Sequence, residues 1–363
     1  MIRKLIFCLL LCISVSVFGE EEVYSYGDFE YTIDANDEVC ITGLVSEEIT
    51  DWHSFFEEKT DKKEVNIVIP RTIENKLVTK IGYGAFSFCN SLTIIEIPDS
   101  VISIGDSAFS SCESLTSIEI PDSVTTIGES AFYNCKSLTN INIPKSVTSI
   151  GGGVFSGCKK LLNVNISDKN ENFAVINNIL YNKKEKSVIS CFSNNSYITI
   201  PSGTRKIESN AFSWCKQLEK LEIPNTVTFI GEQAFSNCSV LKYVNIPDSV
   251  TEINKSTFLG CRELVSVDFP YSVTNIGYGA FAMCKSLKNI EIPDSVIQIE
   301  SLAFTLCSSL TSITIPDSVI SIGKEAFDDC PSLTIQCNAG SYAEQYCKEN
   351  NLKYFATPDW LLD

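Results

Sequence analysis

Cysteine is the residue type here with the most chemistry open to it, as metal ligand, disulfide partner or nucleophile. Cys89, Cys112, Cys135 and Cys158 stand 23 residues apart; the step breaks once and resumes at Cys215, Cys238, Cys261, Cys284, Cys307 and Cys330. No local C-x-x-C spacing of the kind zinc sites use accompanies them. A disulfide between neighbours would need specific Cβ geometry, whereas a buried free thiol behaves as a small hydrophobe. An internal row of mostly free thiols is the favoured reading, with disulfides and metal as the alternatives. Cys40, Cys191, Cys337 and Cys347 fall outside the row, and Cys337 with Cys347 forms a candidate cross-link near the C-terminus.

The remaining catalytic inventory is thin. His53 is the only histidine, so sites built on several histidines are excluded and any Ser-His-Asp arrangement would have to use that residue. Neither a G-x-S-x-G elbow nor a phosphate-binding glycine loop occurs. Carboxylates are abundant, but the repeat multiplies them without singling out one pair. No calcium-loop pattern is present. The expectation is a protein that is not an enzyme, with no cofactor and no metal.

The elements that position these residues follow from the repeat. A fixed period between 20 and 50 residues signals a solenoid. In the unit from Cys135 to Cys158, the apolar positions are Leu138, Ile141, Ile143, Val147, Ile150 and Phe155. Ile141-x-Ile143 alternates as a strand with one buried face. Pro144 ends that strand because it cannot donate to a ladder. Val147 and Ile150 begin a second extended stretch, Gly151 permits a backbone turn, and Phe155 to Cys158 is predicted to be a tight helical turn. Phe86, Phe109, Phe132, Phe155, Phe212, Phe235, Phe258, Phe281, Phe304 and Phe327 each precede a repeat cysteine by three residues, which predicts an internal aromatic spine. One unit cannot bury its own apolar side chains; stacked units bury one another's.

The pattern C-x-x-L-x-x-I-x-I-P-x-S-V-x-x-I-G-x-x-A-F resembles the 23-residue leucine-rich repeat of BspA-like surface proteins, over about residues 25 to 355. The resemblance implies a curved leucine-rich-repeat solenoid, β-rich with short helical or 3-10 turns, of about ten turns and capped at both ends. It further implies a secreted or cell-surface protein of the adhesion type, with no shared catalytic activity.

Residues 1–19 read as a signal peptide: Arg3 and Lys4 precede an apolar stretch from Leu5 to Phe18 that is too short to span a bilayer. Residues 20–64 lack the period and are expected to cap the N-terminal end, with strand-like pieces at Val23–Tyr26, Phe29–Ile33 and Val39–Ile41. The solenoid is expected over 65–332, with a strand-rich insertion over about 167–199, where the step from Cys158 to Cys215 reads as 23 plus 34. An Asn177-Asn178 pair there suits a tight hairpin. Residues 333–363 are expected to form the C-terminal cap, with a short helix after Ser341 as N-cap. N-x-Ser sequons stand at Asn165, Asn194, Asn237 and Asn254.

The formal charge of −17 argues against nucleic acid and against anionic lipid. Between the paired strand isoleucines, the solvent-facing residues are Glu96, Glu119, Asn142, Asn165, Glu222, Asn245, Asp268, Glu291 and Thr314. Five acids and three amides thus share one row. The neighbouring row carries Ile94 and Tyr243, and Ile94, Tyr243 and Val265 are expected to add apolar contact. In leucine-rich repeats such strands line the concave face. The expected partners are extracellular or host proteins and glycoproteins, with no membrane span in the mature chain. The other reading is an envelope-associated structural scaffold without a host ligand.

Overall fold

The computed structural model describes residues 22–45 and 64–358. The signal segment, His53 and the stretch around it lie outside the described residues. The chain winds as a β-solenoid of about 13 turns of roughly 23 residues, with very little helix. That exceeds the ten turns marked by the regular cysteines, because irregular turns join the same stack.

Each regular turn has three sides. The first is a strand such as Asn140–Ile143 or Asn163–Ile166, paired in parallel so that Asn140 faces Asn163 and Ile141 faces Val164. Alternation buries the isoleucines and exposes the residues between them. The second side is a two-residue strand such as Ser103–Ile104 or Thr126–Ile127, also parallel. The Pro-x-Ser-Val corner joins the two. The carbonyl of Pro98 accepts from the N–H of Val101 at 3.1 Å, and the Ser123 hydroxyl donates to the Val101 carbonyl of the preceding turn at 2.6 Å.

The third side carries the phenylalanine and cysteine, and it is not the helical turn expected from sequence. Ser107, Phe109 and Ser111 donate to the carbonyls of Glu129, Ala131 and Tyr133 in the next turn, while Ser110 and Cys112 donate three residues back. The residues five and one before each cysteine take positive φ, as at Ser107 (55°) and Ser111 (60°). A helix needs negative φ throughout, so the segment forms a ladder of turns instead. The rings stack as expected, with centroids 5.2 Å apart for Phe86–Phe109 and 5.3 Å for Phe258–Phe281.

The signature glycine has a different reason from a turn. A Cβ on Gly105 would lie 2.8 Å from the carbonyl carbon of Gly82, and one on Gly277 would lie 2.7 Å from the carbonyl oxygen of Ile253. Turns stack too closely there for a side chain.

The ten row cysteines are free thiols, as are Cys337 and Cys347, so the candidate cross-link between those two is not formed. The sequence did not reveal what the thiol does. Cys112 donates to the Phe86 carbonyl of the preceding turn at 3.0 Å, and Cys238, Cys261 and Cys284 repeat the bond to Phe212, Phe235 and Phe258 at 3.1 to 3.2 Å. A cysteine is small enough for the core and still carries one donor. Burial pushes the Cys89 thiol up to about 12, so it stays protonated and able to donate.

The first-side strands Asn163–Ile166, Tyr197–Thr199 and Lys220–Glu222 mark the turns across the interruption, and Cys191 stands beside the cysteine row, its carbonyl 3.9 Å from the Cys215 thiol in the place that Phe212 takes for Cys238. The step from Cys158 to Cys215 is therefore one long turn and one of ordinary length. The long turn holds an antiparallel meander of Phe173–Ile176, Ile179–Asn182 and Ser187–Cys191. Ser187–Cys191 is buried throughout and joins the two-residue strand Lys206–Ile207 in parallel. Val188 pairs with Ile207 in the place of a second-side isoleucine, and Cys191 stands where other turns place phenylalanine, its N–H donating to the Ala211 carbonyl as Phe212 donates to Ala234. The ring stack therefore stops at Phe155, which meets Phe192 edge-on at 6.5 Å. The core divides here. Leu180, Ile189 and Phe192 pack on the N-terminal half, and Ile179, Val188 and Cys191 on the C-terminal half.

At the N-terminal end, Tyr24–Tyr26, Phe29–Ile33 and Val39–Leu44 form an antiparallel meander that joins Lys76–Ile81 in parallel. At the other end, Ser341 caps a helix over Tyr342–Glu349, accepting from the Glu344 N–H at 3.2 Å. A final strand, Tyr354–Thr357, then pairs in parallel with Thr334–Asn338.

Candidate functional site

The first side of the stack brings the expected row together. Glu96, Glu119, Asn142, Asn165, Glu222, Asn245, Asp268, Glu291 and Thr314 are all exposed. Parallel register places Asn142 opposite Asn165, Asn245 opposite Asp268, and Glu291 opposite Thr314. Asn165 donates through Nδ2 to Asn142 Oδ1 at 2.9 Å, and Asn163 does the same to Asn140. These amide bonds fix the side chains and leave further donors and acceptors to solvent. Glu222 lies 3.6 Å from Lys220 across an exposed pair that contributes little to stability.

The apolar residues divide. Tyr243 is 59% exposed and Ile94 41%. Val265 is half-buried and precedes the strand Ser266–Asp268 instead of lying on it. Sequence reasoning missed Tyr197, which is exposed, lies in register with Lys220, and carries the Lys220 ammonium 5.5 Å from its ring centre. It also missed a second line of acids at the Pro-x-Ser corners. Asp99, Asp122, Asp248, Asp294 and Asp317 are all exposed, three residues beyond the strand row. Reading the residue after each repeat proline would have found them. At the C-terminal end, Asp294, Thr314, Asp317, Gln336 and Asn338 line a cleft of about 390 Å³.

The long turn contributes a cleft of about 460 Å³ lined by Lys145, Lys169, Lys184, Glu171 and Glu185. Its anchor is Asn170, another residue sequence reasoning passed over. Asn170 is buried, donates to the carbonyls of Pro144 and Val147 at 3.1 and 3.0 Å, and accepts from the N–H groups of Asn172 and Phe173. Among the described residues, no group of three or more His, Cys, Asp or Glu is arranged to hold a metal ion. No helix among them is long and apolar enough to cross a membrane.

A parallel stack with one strand, one proline corner and one phenylalanine–cysteine turn per repeat defines a leucine-rich-repeat solenoid. The chain belongs to the BspA-type leucine-rich-repeat family, whose repeat-region model matches residues 56–186, 185–307 and 274–359. No curated protein matches it. Among solved structures it is similar to a leucine-rich repeat protein from Eubacterium ventriosum, with 25% identity and a TM-score of 0.61, covering 87% of this chain and 90% of that one. It is also similar in fold to the pneumococcal vaccine antigen PcpA, with 17% identity and a TM-score of 0.53, covering 93% of this chain and 99% of that one.

Proposed function

We propose that this protein is a secreted or surface-displayed binding module that takes a basic or polar segment of an extracellular protein across its strand face. The observation that carries this reading is the row from Glu96 to Thr314, widened by the corner aspartates. A solenoid holds such rows at about 4.8 Å per turn, so an extended partner meets the same chemistry at each step. The acids would steer a cationic partner and set selectivity, while Tyr243, Tyr197 and Ile94 would supply the desolvated contact from which most affinity comes. Membership of a leucine-rich-repeat family supports binding in place of catalysis.

The test is a binding screen of the purified protein against extracellular matrix and cell-surface proteins. A Glu96→Lys/Glu119→Lys/Glu222→Lys/Glu291→Lys variant, checked for folding, runs beside it. A saturable, salt-sensitive interaction abolished by the reversal is the expected result. Binding that survives the reversal moves the site elsewhere. No interaction at micromolar protein shifts the reading to a structural scaffold.

A further inference from the structure

The net charge conceals a segregation. From Lys136 to Lys216 the chain carries 11 basic and 4 acidic residues, against 28 and 45 in the whole sequence. Part of this excess falls on one line of the solenoid, the position just after each row cysteine, in the turn that leads into the strand face. Lys136, Lys159, Lys216, Arg262 and Lys285 occupy it, with Lys160 alongside. Because a further turn, carrying the strand Tyr197–Thr199, lies between Cys158 and Cys215, these five cations lie within seven consecutive turns, a length of about 29 Å. Bonds to the backbone carbonyls hold the line in register: the Ser286 N–H donates to the Arg262 carbonyl at 3.0 Å, and the Asn194 side-chain Nδ2 donates to the Lys159 carbonyl at 3.5 Å.

All but one of these cations are left without an ion pair in a strongly acidic protein. Lys136 pairs with Glu113. Among the described residues, Lys159, Lys160, Lys216, Arg262 and Lys285 form no ion pair. Lys216 lies over the Trp214 ring at 4.7 Å. Its ammonium is held below the ordinary lysine range by burial first, and then by Lys159, Lys136 and Arg262, so the group repels itself. With 45 acids available, a line of unpaired cations has no evident stabilising role.

We infer that this line binds a linear anionic polysaccharide of the sulfated or carboxylated class. A single extended sugar chain can present charges at intervals comparable to the turn spacing. The acid row of the strand face begins six residues further along each turn. A broader nucleic-acid duplex would therefore bring its phosphates against those acids. This site is separate from the acidic row, so either can fail without the other.

The test measures binding of a heparin-derived oligosaccharide to the full protein, with uncharged dextran and double-stranded DNA of equal charge as comparators. The expected result is saturable binding that falls with salt. It should weaken about tenfold or more in Lys159→Gln/Lys160→Gln/Lys216→Gln, with a shallower salt dependence. Arginine at the same three positions should retain it, as should a Lys324→Gln/Lys353→Gln control and the Glu222→Lys/Glu291→Lys variant. If the glutamine triple fails to fold, Arg262→Gln/Lys285→Gln tests the same line. No saturable binding at low salt, binding indifferent to the glutamine variants, or DNA bound as tightly as the oligosaccharide would each overturn the inference.

Discussion

The turns from Cys215 to Cys330 and the long turn before them solve the same stacking problem differently. In the regular region Phe235, Phe258, Phe281 and Phe304 each lie between two other phenylalanines, and each row thiol closes on a carbonyl of the turn before it. In the long turn a straight buried strand, Ser187–Cys191, replaces the bulged turn, and the neighbouring repeats close over it. A Cβ on Gly152 would lie 2.5 Å from the Ser209 carbonyl oxygen, and the Ser156 hydroxyl donates to the Asn210 carbonyl at 2.5 Å. Gly151-Gly152-Gly153 thus leaves room for that closure. The comparison shows that the solenoid needs continuous backbone pairing and a filled core more than it needs any one motif residue.

The largest effect should separate the two regions by their ring stacks. Phe235→Ala removes a ring stacked on both sides, at 5.3 Å from Phe212 and 5.5 Å from Phe258. It should cost about 3–5 kcal/mol in denaturant unfolding. Phe155→Ala, stacked on one side and edge-on to Phe192 on the other, should cost less; equal losses would mean the long turn is packed as tightly as the regular stack.

Next comes the anchor of the long turn. Asn170→Leu leaves the Val147 carbonyl and the Phe173 N–H without their partner, while the Pro144 carbonyl keeps the Val147 N–H, and should cost about 1–3 kcal/mol. Limited proteolysis should then cut first within 167–186. Cleavage elsewhere would show that the hairpin holds without Asn170.

The smallest effect is electrostatic. Asn210 Nδ2 donates to Glu129 Oε1 across the closure at 3.2 Å. Burial, then Asp106, Glu232 and Glu208, raise its carboxyl above the usual value of 4.5, against the lowering effect of the Asn210 bond. The folded chain therefore holds that proton more tightly than the unfolded chain. The destabilising charge is absent below about 4.5 and develops as pH rises through the folded value. Glu129→Gln keeps an acceptor for Asn210, so it should raise the melting temperature at pH 7 and leave it unchanged at pH 4. A gain of the same size at both pH values would assign the effect to packing.

Much of the fold was legible because a 23-residue period constrains every turn alike. The strand, its proline end, the ring spine and the exposed row all followed from residue type and spacing. The third side reads as helical from sequence because the recurrent Ala favours helix, and the sequence does not show that Ser107, Trp214 or Leu306 take positive φ. The basic line escaped notice because the net charge averages over it.

By itself, the sequence determined the repeat, the parallel stacking and which side chains face solvent, since burial of alternate residues in a periodic chain permits one arrangement. Only the tertiary structure decided which rows adjoin, why glycine and cysteine recur, and how the long turn is bridged. Those depend on how closely one backbone approaches the next turn, a distance that no residue encodes alone.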